Sequence, residues 1–490
     1  MDIRNQLFID GNWCDSSDGE TIEVVNPATN EVITSVQSAS EADLNRAADS
    51  ARKAFDEVWS KTTAFERSAL LHKVGEAIEN NAEFLAQVET DDVGKPIFES
   101  VNIDVASAGA TLHYFADICV EVLGGVKASP YADVFDYTLR EPLGVVGAII
   151  PWNFPFLIAA RKIGSALAAG NTMVIKPASW APLSTILFGE LADEAGLPPG
   201  ALNVVPAAGA TAGKVFTSNP CIEEITFTGS TAVGAGLYGK CNTGLKGCTL
   251  ELGGKSPGLV MPDCAMDETV AGTLFGAYLN QGECCCALTR LIVHEDVYDE
   301  FVGKFVEGAK AIKIGAPGAE DTRMGPLVHP DHLRTVAAYI EAGKKEGATL
   351  ACGGNRLTDG DFANGNFMEA TVFTGVTPSM KIWREEIFGP VVTVTKAGSV
   401  DEMIELGNDT DYGLAASVWT NDLRLAHKIA PKIQAGTVWF NLHNFVFPSA
   451  PYPGYKASGV GFELGKEGVL ALTRIKNVMI SLFDGGFKWY

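Results

Sequence analysis

From residue 143 the chain alternates short apolar runs with longer amphipathic stretches, and no other feature narrows its possible folds as much. LGVVGAIIPWN reads as an apolar strand ending in Pro and Asn, and FLIAARKIGSALAAGN follows with helical spacing. TMVIKPA is a second strand, APLSTILFGELADEAGL and ALNVVPA make a third unit, and EEITFTGST belongs to a fourth. Strands buried on both faces are continuously apolar, and a strand–helix–strand repeat specifies a parallel, doubly wound sheet. Ligands bind such sheets beyond the carboxyl ends of the strands. The residues that stand out there are Asn153, Lys176, Gly229 and Ser230.

The alternation returns after residue 287. LTRLIVHEDV, ATVFTGV, VVTVTKAG, ASVWTND and GTVWFN read as strands with helices between them, which predicts a second α/β unit. Ahead of both units, IDGNWCDSSDGETIEVVNPATNEVI reads as strands and turns, and residues 40–92 carry helical periodicity. The tail TRIKNVMISLF is one more alternating strand, placed to pair with another subunit. A chain of 490 residues exceeds one compact core, so at least two domains are expected.

Composition excludes several function classes. The formal charge is 37 − 60 = −23, which argues against nucleic acid, whose binding needs a basic footprint. No window reaches the roughly 18 apolar residues of a membrane span, and MDIRNQLFIDGNW lacks the basic start and apolar run of a signal peptide. The 10 cysteines form no CxxC pair and there is no HExxH, so reduced thiols in the cytoplasm and no metal site are expected.

Four local constellations bear on chemistry, each beside a plainer reading. GECCCA holds either a thiolate nucleophile or three buried small hydrophobes. LELGGKSP sets Glu251 among apolar neighbours, where a carboxylate becomes a base near neutral pH, or it holds an ion-paired Glu. PWNFPF places Asn153 as an oxyanion donor or as a helix N-cap. FTGST offers backbone N–H groups at a helix start to phosphate, a weak signal without GxGxxG.

Taken in order, PWNFP, VIKPA, FTGST, LELGGKSP, NQGxxC and EEIFGP resemble the aldehyde dehydrogenase superfamily, and the resemblance runs from NPATNEVI and DDVGKP to YKASG and FELGKEG. It implies a Rossmann-like cofactor domain over residues 1–121 and 142–252. A catalytic α/β domain over 253–454 and a small β oligomerisation arm over 122–141 and 470–490 complete the expected fold. It also implies a homodimer or homotetramer acting on a small-molecule aldehyde, with neither nucleic acid nor membrane as partner. In the family motif the nucleophile is the second residue after the Gly-Glu pair, here Cys285, with Cys284 and Cys286 flanking the substrate pocket. The Asn153 amide and the Cys285 backbone N–H would hold the oxyanion, and Glu251 would activate the water that hydrolyses a Cys285 thioester to the acid. Branches that release acyl-CoA generally lack that Glu, so the chain resembles the hydrolytic branch. The alternative kept beside this is a catalytically silent binding or structural protein on the same fold.

The resemblance assigns cofactor contacts to Ile149, Pro151, Trp152, Lys176, Gly229, Ser230, Val233, Leu252, Glu386 and Phe388. Ser179 stands where NAD-preferring relatives commonly carry Glu. Its lack of negative charge removes repulsion of a 2′-phosphate, so NADP is expected alongside NAD and slightly favoured. Ala207 replaces a usual Gly, and Pro453 replaces the first Gly of PFGGxKxSG. Substrate contacts are expected from Phe154, Arg161, Cys284, Cys286, His443 and Tyr452, with Phe445 and Phe447 at an aromatic mouth. Arg161 lies eight residues after Asn153, about 12 Å along an expected helix, and would meet the far end of the substrate. That Arg resembles semialdehyde and lactaldehyde dehydrogenases and also occurs in relatives acting on aromatic aldehydes. The second Arg of semialdehyde enzymes is replaced by Leu279.

Overall fold

The computed structural model describes residues 3–486 and residue 489. Residues 1 and 2 of the expected cofactor domain, and 487, 488 and 490 of the expected arm, lie outside the described residues.

Two sheets carry the molecule. In the first, β1 (Leu7–Ile9), β2 (Asn12–Cys14), β3 (Val145–Ile149), β4 (Thr172–Lys176), β5 (Leu202–Val204), β6 (Ile222–Thr228) and β7 (Gly247–Glu251) lie in the order β2-β1-β5-β4-β3-β6-β7. The strands β3 to β7 pair in parallel, and β1 adds antiparallel to β5. Gly459–Val460 closes the far edge antiparallel to β7, with Gly459 opposite Glu251. All residues of β3 and β4 are buried, which is why their sequences show no polar alternation. In the second sheet, β8 (Pro257–Val260), β9 (Arg290–His294), β10 (Thr349–Cys352), β11 (Thr371–Thr374), β12 (Val391–Ala397), β13 (Ala415–Trp419) and β14 (Thr437–Phe440) lie in the order β10-β11-β12-β9-β8-β13-β14. Only the β10–β11 pair is antiparallel.

A three-stranded antiparallel ribbon stands apart, formed by Gly125–Lys127, Val134–Pro142 and Thr473–Ser481. Its last strand pairs along its whole length, from Thr473 opposite Pro142 to Ser481 opposite Val134. Val126, Ile475 and Met479 on it are exposed.

The helices begin where side chains satisfy the first orphan N–H groups. Ser40 with Asp43 and Thr63 with Glu66 form capping boxes that open Glu41–Glu57 and Ala64–Asn80. Helix α1 (Pro155–Ala168) is buried on all sides except at Arg161, because helices cover it from outside and the first sheet from inside. Gly164 permits that packing: a Cβ there would stand 2.6 Å from the Phe115 ring. Among the described residues, no helix is long and apolar enough to cross a membrane.

Candidate active site

The strand ends of the first sheet face the loop that carries the cysteine triplet. Pro151, Trp152 and Asn153 follow β3. After β6, Gly229 and Ser230 lead into helix α2 (Thr231–Thr243), whose first turn is capped by the Ser230 hydroxyl accepting the Val233 N–H at 3.4 Å. Glu251 ends β7. Gly234 lets α2 lie close, since a Cβ there would meet Leu252 Cδ2 at 2.4 Å.

The expected shared helix of Asn153 and Arg161 needs correction. Helix α1 starts at Pro155, with Phe154 as its N-cap at φ −137° and ψ 57°, so Asn153 lies ahead of it and is not the cap either. Proline at the first helical position forces this, because it holds the preceding residue outside the helical region.

Asn280, Gln281 and Gly282 are three successive left-handed residues, at φ 49°, 57° and 73°. Such a run is costly and must be held by its surroundings. The Asn280 N–H donates to Glu99 Oε2 at 2.9 Å, and Asn280 Nδ2 donates to the Asn153 carbonyl at 2.8 Å and to the Glu283 carbonyl at 3.2 Å. Gly282 cannot be replaced freely, because a Cβ would lie 2.4 Å from the Gly389 carbonyl oxygen. This run aims the loop so that Asn153 Nδ2 donates to the Glu283 carbonyl at 3.0 Å, directly ahead of the triplet.

Two cavities meet at Cys285. The first, about 230 Å³, is lined by Pro151, Trp152, Asn153, Thr228, Gly229, Ser230, Leu252, Glu386 and Phe388 among others, together with Cys285. Its wall is aromatic: Trp152 sits 5.2 Å from Phe388 and 5.1 Å from His332, ring centre to ring centre. Glu386 is fixed by the Gly254 N–H, which donates to its Oε1 at 2.9 Å. The second cavity, about 90 Å³, is lined by Phe154, Arg161, Leu279, Cys284, Cys285, Cys286, Asn444 and Tyr452, with Ile103, Ser107, Leu157, Ile158 and Val446. Cys285 is half-buried, and Cys284 and Cys286 are buried.

The other expected contacts sit elsewhere. Ile149 and Lys176 are register partners at the ends of β3 and β4, beside the first cavity but outside its lining. The Ser179 hydroxyl donates to the Ala207 carbonyl at 3.4 Å, and Val233 is exposed on α2. His443 is turned away from the triplet pocket: its Nε2 meets the Cys286 carbonyl at 2.7 Å, and with Phe445 it lines a separate cavity. Phe447 is exposed and lines neither cavity at Cys285. Glu251 lines neither cavity; it is buried at the end of β7, with neither carboxylate oxygen hydrogen-bonded among the described residues.

Burial governs the charges. The Glu251 carboxyl is pushed well above the usual carboxylate range, first by burial and then by Glu463, while Lys162 and Arg161 oppose the rise. Lys162 bonds Glu463 and donates to Thr226 Oγ1 at 2.8 Å. The sequence reading does not single out Lys162 or Glu463; the one local signal is a Lys on a largely apolar helix. Burial lowers Lys176 to about 8 and His332 to about 4, so His332 is neutral at pH 7 and donates to the Phe388 carbonyl at 2.6 Å. Hydrogen bonds to Cys284 and Cys286, then burial, push the Cys285 thiol up, while Cys286 is pulled down as the acceptor within the triplet.

The sequence matches the model of the Aldehyde dehydrogenase family over residues 13–478. The chain belongs to that family. An aldehyde dehydrogenase of Alternaria alternata is 44% identical over 479 residues, covering 98% of this chain and 95% of that one. The NAD+ complex of aldehyde dehydrogenase from Bacillus cereus superposes with a TM-score of 0.95 at 41% identity, covering 98% and 97% of the two chains. A point mutant of betaine aldehyde dehydrogenase from Staphylococcus aureus, in complex with NAD+, reaches 0.97 at 36% identity and full coverage of both. The fold is therefore the aldehyde dehydrogenase fold, and this aldehyde dehydrogenase places its cysteine triplet where two cavities join.

Proposed function

We propose that this aldehyde dehydrogenase oxidises its aldehyde to the carboxylic acid through covalent attachment to Cys285, using NAD or NADP. The supporting observation is that Cys285 is the only one of the three cysteines that lines both cavities. A nucleophile needs its substrate on one side and the acceptor of the displaced hydride on the other.

The first cavity fits a dinucleotide. Thr228 Oγ1 is buried against it with no hydrogen-bond partner among the described residues, and Gly229 and Ser230 present the N-terminal end of α2 to an anion. Ser230 caps, Glu386 offers a carboxylate to ribose hydroxyls, and the Trp152–Phe388 wall excludes water. A nicotinamide dinucleotide bound there supplies the hydride acceptor. The neutral Ser179 supports acceptance of NADP beside NAD.

The chain's own groups carry the remaining steps. The Cys285 thiol gives its proton to solvent, and the thiolate Sγ attacks the carbonyl carbon to form a thiohemiacetal oxyanion. The Asn153 amide and the Cys285 backbone N–H donate to its oxyanion; one such donor is worth roughly 3–4 kcal/mol. Loss of hydride leaves a thioester on Cys285. Glu251, with both oxygens free, takes a proton from the water that hydrolyses this thioester, and Lys162 and Glu463 stand behind it as the next charged groups. Because Glu251 lies outside the cavity linings, its side chain rotates toward Cys285 to act.

The second cavity suits a short or single-ring aldehyde. Arg161 would meet a carboxylate or hydroxyl at the far end. Phe154 and Tyr452 would instead face an aromatic ring. Steady-state oxidation of succinic semialdehyde, lactaldehyde, benzaldehyde and a long aliphatic aldehyde, by wild type and Arg161→Leu, separates the two. If Arg161 anchors substrate, the variant loses the acidic and hydroxylated aldehydes and keeps benzaldehyde; a uniform change across the panel refutes that role. Failure of every aldehyde to reduce either cofactor would point to the silent binding protein. The exposed apolar residues of the three-stranded ribbon support its role as the arm of a homodimer or homotetramer.

A further inference from the structure

The loop that presents Cys285 gathers more sulfur than the reaction uses. The Ala287 N–H donates to the Cys284 carbonyl at 3.0 Å, so residues 284–287 close a tight turn. The turn draws the three side chains together, and their Sγ atoms all lie within 4.8 Å of one another. Cys284 Sγ and Cys286 Sγ are 3.4 Å apart, and Cys286 Sγ lies 3.2 Å from Asn444 Oδ1. All four side chains line the second cavity, so an ion reaches them by the route the aldehyde takes.

A tetrahedral thiolate site with metal–sulfur bonds of about 2.3 Å has sulfur–sulfur edges of about 3.8 Å. The Cys284–Cys286 separation of 3.4 Å lies just under that value and no pair exceeds 4.8 Å, so small side-chain rotations would bring the three sulfurs onto one ion. Thiolates select d10 cations over the hard ions that prefer oxygen. His443 is not counted among the ligands: its Nε2 meets the Cys286 carbonyl at 2.7 Å and it lines a separate cavity. The spacing rules that find zinc sites from paired cysteines miss this one, because adjacent residues form it through a turn.

We propose that Cys284, Cys285 and Cys286 bind one thiophilic d10 cation of the Zn2+ or Cd2+ class, with Asn444 Oδ1 as fourth ligand, and that this ion silences the enzyme by occupying Cys285. Binding involves no redox change: each neutral thiol gives its proton to solvent and becomes a ligand. The binding stands on the geometry of the turn; the silencing rests on the reading of Cys285 as nucleophile.

The test uses the full-length protein and Cd2+. Three readouts are taken together: the ultraviolet cadmium–thiolate charge-transfer band, protection from alkylation of the peptide spanning residues 280–290 by mass spectrometry, and aldehyde oxidation. The expected result is one Cd2+ per chain, protection of all three cysteines, and inhibition that a chelator reverses. Against its own uninhibited rate, Cys284→Ala or Cys286→Ala needs at least about 10-fold more Cd2+ for half-inhibition, since even loss of a group behind the ligands costs about 10–100-fold. An unprotected triplet overturns the site, as does a charge-transfer band that persists in the Cys284→Ser/Cys285→Ser/Cys286→Ser protein. The alkylation pattern of wild type decides the matter even where a variant fails to fold. Cadmium bound and the triplet protected with turnover intact leaves the site standing and refutes Cys285 as the nucleophile.

Discussion

Asn153 Nδ2 donates to the carbonyl oxygen of Glu283 at 3.0 Å, while the Asn153 carbonyl accepts from Asn280 Nδ2 at 2.8 Å. The proposed oxyanion donor and the loop that carries the proposed nucleophile are thus tied to each other from both ends of one residue. Asn153→Ala removes the donor and leaves the buried Glu283 carbonyl with one partner fewer. The expected outcome is a fall in kcat of about 10²–10³-fold. Cofactor affinity, followed by quenching of tryptophan fluorescence, stays within a small factor. A kcat within threefold of wild type would remove Asn153 from the chemistry.

The pH profile reports on Glu251. Its carboxyl is raised by burial and by Glu463, so the base form exists only above that raised value and is lost as pH falls through it. The expected kcat profile therefore has a rising limb well to the alkaline side of an ordinary glutamate, near about 4.3. In Glu251→Gln this limb disappears, and a burst of reduced cofactor precedes a slow steady state because the thioester no longer hydrolyses. An unchanged limb in the Gln variant assigns it to another group.

Lys162 acts on the same titration with opposite sign. Its ammonium lowers Glu251, so Lys162→Met moves the limb to still higher pH. The substitution also leaves Glu463 facing Thr226 without its cation, and breaking a buried pair costs about 3–5 kcal/mol. Thermal melting measures the second effect and the pH profile the first; Lys162→Arg restores the profile in part. A drop in Tm with no movement of the limb means Lys162 only holds the fold.

On the proposed cofactor placement, Ser179→Glu sets a carboxylate against a 2′-phosphate. KM for NADP is expected to rise at least about 10-fold, or 1.4 kcal/mol, with KM for NAD little changed. Equal changes for both cofactors would show that residue 179 does not face the adenosine ribose.

Much of this was legible in the chain. The strands of both sheets announce themselves as apolar runs; of the residues read at the strand ends, Asn153, Gly229 and Ser230 line the first cavity, and Lys176 lies outside its lining. What the sequence hid depends on long-range geometry. Asn280 carries no local mark of a left-handed residue that braces Asn153, since its conformation comes from Glu99 across the fold. Lys162 lies in a stretch that reads only as helical; α1 is buried almost all round, so its charge needs Glu463 from the far end of the chain. His443 and Phe445 lie in the expected mouth segment, but the loop turns them into another cavity. Helical spacing from Asn153 to Arg161 failed because Pro155 starts the helix later.

The two-residue strand Gly459–Val460 that closes the edge of the first sheet sets Gly459 opposite Glu251, and Glu463 follows at once. The site is therefore not finished when the parallel strands of its first sheet have left the ribosome. Some two hundred further residues, including the whole second sheet, must be made before the neighbours of Glu251 exist. Pairings so distant in sequence form late and slowly. During synthesis the nascent chain therefore carries the cysteine triplet before Gly459 and Glu463 complete the surroundings of Glu251, the proposed base.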